Sequence, residues 1–164
     1  MSIGAHETRT YRETTMEFTI PGPLKLEHDE LHSELARATR EPGRIGEAAR
    51  AVASVLHNHF VKEEACAIPP LGLLPQLAAG TVTQEMADVL KMTDTLKAGL
   101  PDMLEEHKAI IRALDDLVRV AEREHRQEYI RFAEKLKLHA QTEEEVTYPA
   151  ALLIGEYVRL RLNR

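Results

Sequence analysis

The stretch HFVKEE at residues 59–64 decides the fold of this chain, because the stretch HAQTEE at residues 139–144 repeats its polar residues. In both stretches a histidine is followed four residues later by a pair of glutamates, and a proline stands ten residues after the histidine. Residues four apart lie on one face of an α-helix. Each stretch therefore predicts a helix that presents an imidazole and a carboxylate side by side.

The repeat extends to a second histidine that precedes each stretch. His28 stands 31 residues before His59, and His107 stands 32 residues before His139; both follow a glutamate. Self-similarity of this kind indicates repeated structural units. Each half of the chain therefore predicts one helical hairpin, with a histidine near the start of its first helix and His-x-x-x-Glu near the end of its second.

Apolar residues at alternating steps of three and four predict four long amphipathic helices. They run from residue 21 to about 41, from 43 to about 65, from 102 to about 125, and from 126 to a kink or restart at Pro149. The predicted inward-facing residues are Leu24, His28, Leu31, Leu35 and Ala38; Ala48, Val52, Val55, His59 and Glu63; Leu104, His107, Ile111, Leu114, Val118 and Ala121; and Tyr129, Phe132, Leu136, His139, Glu143 and Val146.

Two segments fall outside these four helices. Residues 68–80 predict a loop, and Thr83 is a candidate N-cap for an extra helix over residues 84–98, which Gly99 and Pro101 then kink or break. Residues 150–162 predict a C-terminal helical extension. The chain is thus predicted to be all-α, an antiparallel up-down-up-down four-helix bundle over residues 21–164, preceded by a polar N-terminal arm over residues 1–20.

The histidines and glutamates of the two repeats are predicted to meet in one layer of the bundle. At 1.5 Å per residue the arms of a hairpin are about 20–25 Å long, so the start of its first helix lies beside the end of its second. Buried carboxylates are costly unless a cation neutralises them, and no Lys or Arg lies on the inward faces. The sequence therefore predicts a metal site with the ligands His28, His59, Glu63, His107, His139 and Glu143.

This set of ligands also indicates the number and kind of metal ions. Six ligands exceed what one ion usually takes from a protein, while two carboxylates can bridge a pair of ions. Imidazole and carboxylate suit iron, manganese or zinc, and the lack of thiolates argues against copper(I) and iron–sulfur clusters. Ferritin-like di-iron bundles use Glu-x-x-His, so the His-x-x-x-Glu order argues against a site of that type.

With these residues the chain resembles the hemerythrin-like family, whose pattern is H…HxxxE…H…HxxxE. The similarity covers residues 24–153, including the segments LEHDELH, HFVKEE, MLEEHKAI and HAQTEEEVTYPA. The resemblance implies a non-haem centre of two iron ions, bridged by the two glutamates at one end of a four-helix bundle. It places the same six residues at ligand positions.

The chain departs from this family in two places. Oxygen-carrying hemerythrins have a second histidine one turn after the third-helix ligand, where this chain has Ile111. His32, one turn after His28, is either a fifth histidine ligand or an exposed residue; without such a ligand, one iron is more open to water or to an external ligand. Ala-Ile-Pro-Pro at residues 67–70 replaces the family's Leu-Phe-Pro.

Several other polar residues have two interpretations. Tyr148 either ligates or donates to the centre, or it packs in the core or at the rim, which is the preferred interpretation. Cys66 either senses oxidation near the metal or is a small buried hydrophobe, and the second is preferred. His57 is expected to face solvent. Residues 144–145 form either a solvated face or a contact that orients a histidine.

The composition argues against several classes of function. The net charge is −6 and no cluster of Lys and Arg occurs, so neither nucleic acid nor a membrane is expected as a partner. The N-terminus lacks the apolar core of a signal peptide, and a single cysteine excludes an internal disulfide, so a cytoplasmic location is predicted. The sequence is compatible with a homodimer formed through residues 68–98 or the C-terminal helix.

The leading hypothesis is a binding or sensing protein whose di-iron centre takes up dioxygen or nitric oxide, or responds to iron. One alternative is a redox enzyme that turns over peroxide or nitric oxide or repairs iron centres. Another is a protein with a structural zinc or manganese site. No separate base, nucleophile or nucleotide-binding loop accompanies the ligands, so the sequence leaves the question of catalysis open.

Overall fold

The computed structural model describes residues 18–163, and the regular structure among them is helical. Most of the predicted N-terminal arm lies outside the described residues. Of its last three residues, Phe18 and Ile20 are partly buried and pack against the protein core. None of the helices in the described part of the chain combines the length and the apolar character that crossing a bilayer needs.

Six α-helices follow one another along the described chain, and they are α1 (Gly22–Ala38), α2 (Gly43–Lys62), α3 (Leu74–Ala78), α4 (Val89–Arg123), α5 (Gln127–Thr142) and α6 (Tyr148–Leu162). A π-helical turn follows α2 at Glu63–Ala67, and another follows α5 at Glu143–Thr147. Two 3-10 segments, Pro69–Leu73 and Gln84–Asp88, precede α3 and α4.

Four of these helices surround the first of two apolar cores. α1 packs against α2 and α5, and α4 also packs against α2 and α5. Each helix contributes buried side chains to the shared core, among them Leu35, Leu56, Leu114 and Phe132. The predicted inward face of the first helix is confirmed. Leu24 is half-buried, and the other four residues are buried: His28, Leu31, Leu35 and Ala38.

The second apolar core lies beyond the first along α4. It joins the N-terminal part of α4 to α6 and to the segment between α2 and α4, with Leu73, Met86, Leu96 and Ile154 among its buried residues. The predicted C-terminal extension is confirmed as helix α6, which packs against α4. The predicted loop at residues 68–80 contains a 3-10 segment and the short helix α3.

The prediction of a separate extra helix over residues 84–98 is wrong. Val89 begins a 35-residue helix that continues through Gly99 and Pro101 to Arg123. A proline removes one backbone donor and crowds the preceding turn, but Pro101 is exposed, so water can reach the carbonyl that loses its partner. Buried contacts of α4 on both sides of the proline, in both cores, outweigh this local cost.

Only part of the predicted inward face is buried on α2 and on α4. On α4, Leu104, Ile111 and Val118 are only half-buried. The residues buried in their place are Met103, Ile110 and Leu117. On α2, the predicted Ala48 and Val55 are half-buried. The residues buried beside Val52 are Ile45, Gly46, Ala49 and Leu56. Steps of three and four fit both registers, so periodicity alone did not separate them.

Gly99→Ala is expected to stabilise the protein by about 0.5–1 kcal/mol, because glycine is a poor helix former and costs more chain entropy than alanine. A Cβ at this position meets no atom within 4 Å. Gly155→Ala in α6 is the matched control and should destabilise the protein, because its Cβ would overlap the Thr93 side chain. Urea unfolding of both variants measures the difference; shifts of the same sign would contradict the packing of α6 on α4.

Candidate metal centre

The six predicted ligand side chains lie together at the boundary between the two apolar cores. The four histidines come from α1, α2, α4 and α5, and the two glutamates begin the two π-helical turns. Each side chain is at most 5% exposed: His28, His59, Glu63, His107, His139 and Glu143. On α4, Met103 belongs to one core and Ile110 to the other, and His107 lies between them. The centre is therefore enclosed by apolar packing on both sides.

These side chains form two groups that could each hold a metal ion. Position A consists of His28, His139, Glu63 and Glu143, and position B consists of His59, His107 and the same two glutamates. Within each group the candidate ligand atoms lie within 4.8 Å of one another. Both glutamates are therefore shared between the two positions.

Each shared glutamate divides its two oxygens between the positions. Oε1 of Glu143 lies 2.9 Å from Nε2 of His139 and 3.5 Å from Nε2 of His28. Oε2 of Glu143 lies 3.4 Å from Nε2 of His107. Glu63 is arranged in the same way: Oε2 lies 3.9 Å from Nε2 of His28 at position A, and Oε1 lies 3.2 Å from a histidine nitrogen at position B. This arrangement would allow each carboxylate to bridge two ions through both of its oxygens.

At position A, four buried polar atoms of the described chain have no hydrogen-bond partner: Nε2 of His28, Nε2 of His139, Oε2 of Glu63 and Oε1 of Glu143. The 2.9 Å approach of His139 to Glu143 does not have the geometry of a hydrogen bond. An unsatisfied buried polar atom costs about 1–3 kcal/mol. One cation between these atoms would satisfy all four, so the residues present fit a metal ion.

A second set of carboxylates faces the outer ring nitrogens of the histidines. The distances from Nδ1 to the nearest glutamate oxygen are 3.4 Å for His28 and Glu64, 2.9 Å for His59 and Glu106, 2.8 Å for His107 and Glu144, and 3.3 Å for His139 and Glu27. An ionised carboxylate only accepts hydrogen bonds, so Nδ1 carries the proton. In a neutral imidazole, Nε2 then offers its lone pair to a metal ion.

The electrostatics of the centre are those of buried carboxylates that need positive charge. Burial raises the pKa of Glu63. Burial alone would also raise the pKa of Glu143, but its contacts with His107, His139 and His28 hold that pKa well below its usual range. Burial lowers the pKa of His139, but the neighbouring carboxylates outweigh this effect and leave the pKa raised. Protons and metal ions therefore compete for the same atoms.

The two π-helical turns set the positions of the two shared glutamates. The backbone N–H of Ile68 donates to the carbonyl of Glu63 over 3.0 Å, five residues earlier, and the turn that begins at Glu143 closes in the same way. In each half the next residue is a proline, Pro69 or Pro149. A proline ring clashes with the carbonyl four residues earlier in an α-helix. The wider π turn relieves this clash, and such turns are common at functional sites.

The π turn after α5 also corrects one sequence prediction. Val146 was predicted to face inward, but it is 58% exposed. A π turn adds a residue to the helical turn, so the inward position moves from Val146 to Thr147, which is buried. The prolines that follow both His-x-x-x-Glu-Glu stretches were the sequence signal for this difference.

Tyr148 lies at the centre, so the preferred interpretation of simple core or rim packing was incomplete. Its hydroxyl donates a hydrogen bond to Oε1 of Glu63. The hydroxyl oxygen of Tyr148 also lies 3.2 Å from Nε2 of His107 and 3.4 Å from Nε2 of His59. The ring stacks on that of His107, and the residue is 1% exposed.

Three other candidates lie outside both metal positions. His32 is half-buried and its ring contacts those of Phe60 and His57. His57 is exposed, as predicted. Cys66 is buried and its thiol donates to the carbonyl of Lys62 over 3.2 Å, which agrees with its interpretation as a small buried residue. Burial raises the pKa of this thiol, so the unreactive protonated form is favoured.

The resemblance to the hemerythrin-like family stays a prediction. No family model matches the chain, and no curated protein or solved structure matches it. The metal centre is supported by the burial of its six side chains, the division of the glutamate oxygens and the unsatisfied atoms at position A.

Glu144→Ala is expected to weaken zinc or iron(II) binding by roughly 10- to 100-fold, because it removes the carboxylate that orients His107. Glu145→Ala is the matched control, since the adjacent Glu145 is exposed and accepts a hydrogen bond from Gln141. Competition against a chelator measures both affinities. Equal affinities in the two variants would contradict an orienting role for Glu144.

Metal loading is expected to stabilise the folded protein by about 2.7 kcal/mol when the free metal exceeds its Kd a hundredfold. The double variant Glu63→Gln/Glu143→Gln should lose most of this gain, because it removes the two carboxylates that both positions share. The variant Glu122→Gln/Glu124→Gln changes two exposed glutamates near the end of α4 and should keep it. Calorimetric unfolding with and without a chelator measures the gain, and a full gain in the first variant would exclude the bridging role.

Proposed function

We propose that this chain is a non-haem di-iron protein that binds or senses dioxygen, nitric oxide or iron. The observation that supports this most directly is the division of the oxygens of Glu63 and Glu143 between two histidine pairs. A single ion needs no such division, whereas a carboxylate that bridges two ions through both of its oxygens has this arrangement. The donor set of imidazoles and carboxylates suits iron.

The fold supports the same proposal. α1, α2, α4 and α5 share one core, and the centre joins His28, near the start of α1, to His59, near the end of α2. An antiparallel up-down-up-down bundle brings helix starts and helix ends together in this way. The H…HxxxE…H…HxxxE pattern and this packing together support membership of the hemerythrin-like family.

Different side chains of the centre would bind the iron pair, orient its ligands and cover it. The histidine Nε2 atoms and the glutamate oxygens would hold the ions, and the outer glutamates orient the rings. Phe60 stacks on the ring of His28 with 4.3 Å between centroids, so an apolar wall covers position A. When bound, a ferrous pair supplies the electrons and the open coordination positions that binding of dioxygen or nitric oxide requires.

The experiment that tests the proposal is anaerobic loading with iron(II), followed by metal analysis and by optical spectra before and after addition of oxygen or nitric oxide. About two irons per chain and new absorption bands on gas addition are expected. His59→Ala should lose both iron and bands, because it removes a position B ligand. His57→Ala, two residues away and exposed, should keep both.

Other outcomes of this experiment would overturn the proposal in different ways. Zinc or manganese bound in place of iron would favour a structural metal site, with which the same donor set is compatible. Two bound irons whose spectrum does not respond to oxygen or nitric oxide would exclude a role in binding these gases. Catalytic turnover of peroxide or nitric oxide that depends on Glu63 would favour the redox enzyme.

A further inference from the structure

The hydroxyl of Tyr148 lies among three candidate metal ligands of position B. It donates to Oε1 of Glu63, and its oxygen lies 3.2 Å from Nε2 of His107 and 3.4 Å from Nε2 of His59. The residue is 1% exposed, so no bulk water shares these contacts. A single O–H group therefore faces three ligand atoms in a dry site.

The Tyr148 hydroxyl cannot satisfy all the ligand atoms around it, because the outer nitrogens of His59 and His107 already carry the imidazole protons. Nδ1 of His59 faces Glu106 at 2.9 Å, and Nδ1 of His107 faces Glu144 at 2.8 Å. Because those carboxylates only accept, the neutral imidazoles carry their protons on Nδ1 and turn lone pairs towards the tyrosine oxygen. One hydroxyl proton cannot satisfy two nitrogen lone pairs and a carboxylate oxygen. A cation in the middle of these atoms can.

The distances from the tyrosine oxygen to the two histidine nitrogens are those expected between two ligands of one metal ion. Nitrogen and oxygen ligands of a typical protein-bound zinc ion lie about 2.0–2.2 Å from the metal, so two ligands at right angles are about 3 Å apart. The distances of 3.2 Å and 3.4 Å from the tyrosine oxygen to the histidine nitrogens are close to that separation. The tyrosine oxygen thus lies where a further ligand of an ion at position B would lie.

We propose that the Tyr148 oxygen is a seventh protein ligand, bound as phenolate to the metal ion at position B. On binding, the phenol proton passes to solvent and an oxygen lone pair bonds to the metal. Position B then has five protein ligands and position A has four. External ligands are accordingly directed to position A. This inference rests on the proposed function for the presence of the ions, but it concerns the ligands and not the gas.

The test is resonance Raman and visible spectroscopy of the chain loaded with iron and oxidised by dioxygen to iron(III), with iron measured in the same sample. Phenolate bound to iron(III) gives a charge-transfer band and enhanced ring vibrations. The wild type should show both, and Tyr148→Phe should show neither while its affinity for one ion falls by roughly 10-fold. Tyr157→Phe, a half-buried tyrosine of α6 that contacts Arg161, should retain both signals.

The outcomes separate this inference from the proposed function. If the wild type binds about two irons per chain but shows no phenolate vibrations, Tyr148 is not a ligand, while the proposed iron centre is retained. Vibrations that persist in Tyr148→Phe would also overturn it. If zinc binds and iron does not, the proposed function fails. The ultraviolet difference band of deprotonated tyrosine on zinc addition then decides the ligand: its absence from the wild type, or its persistence in Tyr148→Phe, overturns the inference.

Discussion

The structure depends on one electrostatic constraint. Glu63 and Glu143 place two carboxylates, at most 3% exposed, in a part of the core where the described chain buries no Lys or Arg. Charges in such a place are costly unless a partner of opposite sign is near. Either protons on the inner imidazoles or a pair of cations would meet this need, and the two compete for the same atoms. The outer glutamates and the apolar walls around the centre maintain the same arrangement.

The two halves of the chain meet this constraint by exchanging partners. Position A takes its histidines from the first helix of one half and the last helix of the other, and position B takes the converse pair. Two of the four outer carboxylates also cross between the halves, since Glu106 faces His59 and Glu27 faces His139. The other two, Glu64 and Glu144, face a histidine of their own half. No half can build a complete position alone. The centre therefore forms only when the two hairpins pack together.

The sequence was sufficient to predict that six histidine and glutamate side chains come together, but not that Tyr148 joins them or how the helices are oriented in detail. Inward polar residues are rare, so the repeated histidines and glutamates marked the layer where the helices meet. Apolar positions are less informative: Ile110 and Ile111 fit α4 equally well, and only packing against the neighbouring helices makes Ile110 the buried one. Pro101 is similarly ambiguous, because its cost is local while the two cores that keep α4 continuous are formed by residues distant in sequence.

The repeat does not make the two metal positions equal, and the difference comes from the residue before each proline. Ile68 closes the first π turn and Tyr148 the second, so the backbones correspond while the side chains do not. Tyr148, in the second half, places its hydroxyl oxygen at position B. The first half has only an aliphatic side chain at the matching place, and the atoms of position A are the ones without hydrogen-bond partners. With the ligation that we propose for Tyr148, a symmetric set of six candidate ligands would acquire one more saturated position and one less saturated position, which is the asymmetry expected of a pair of ions that binds a small ligand at one of them.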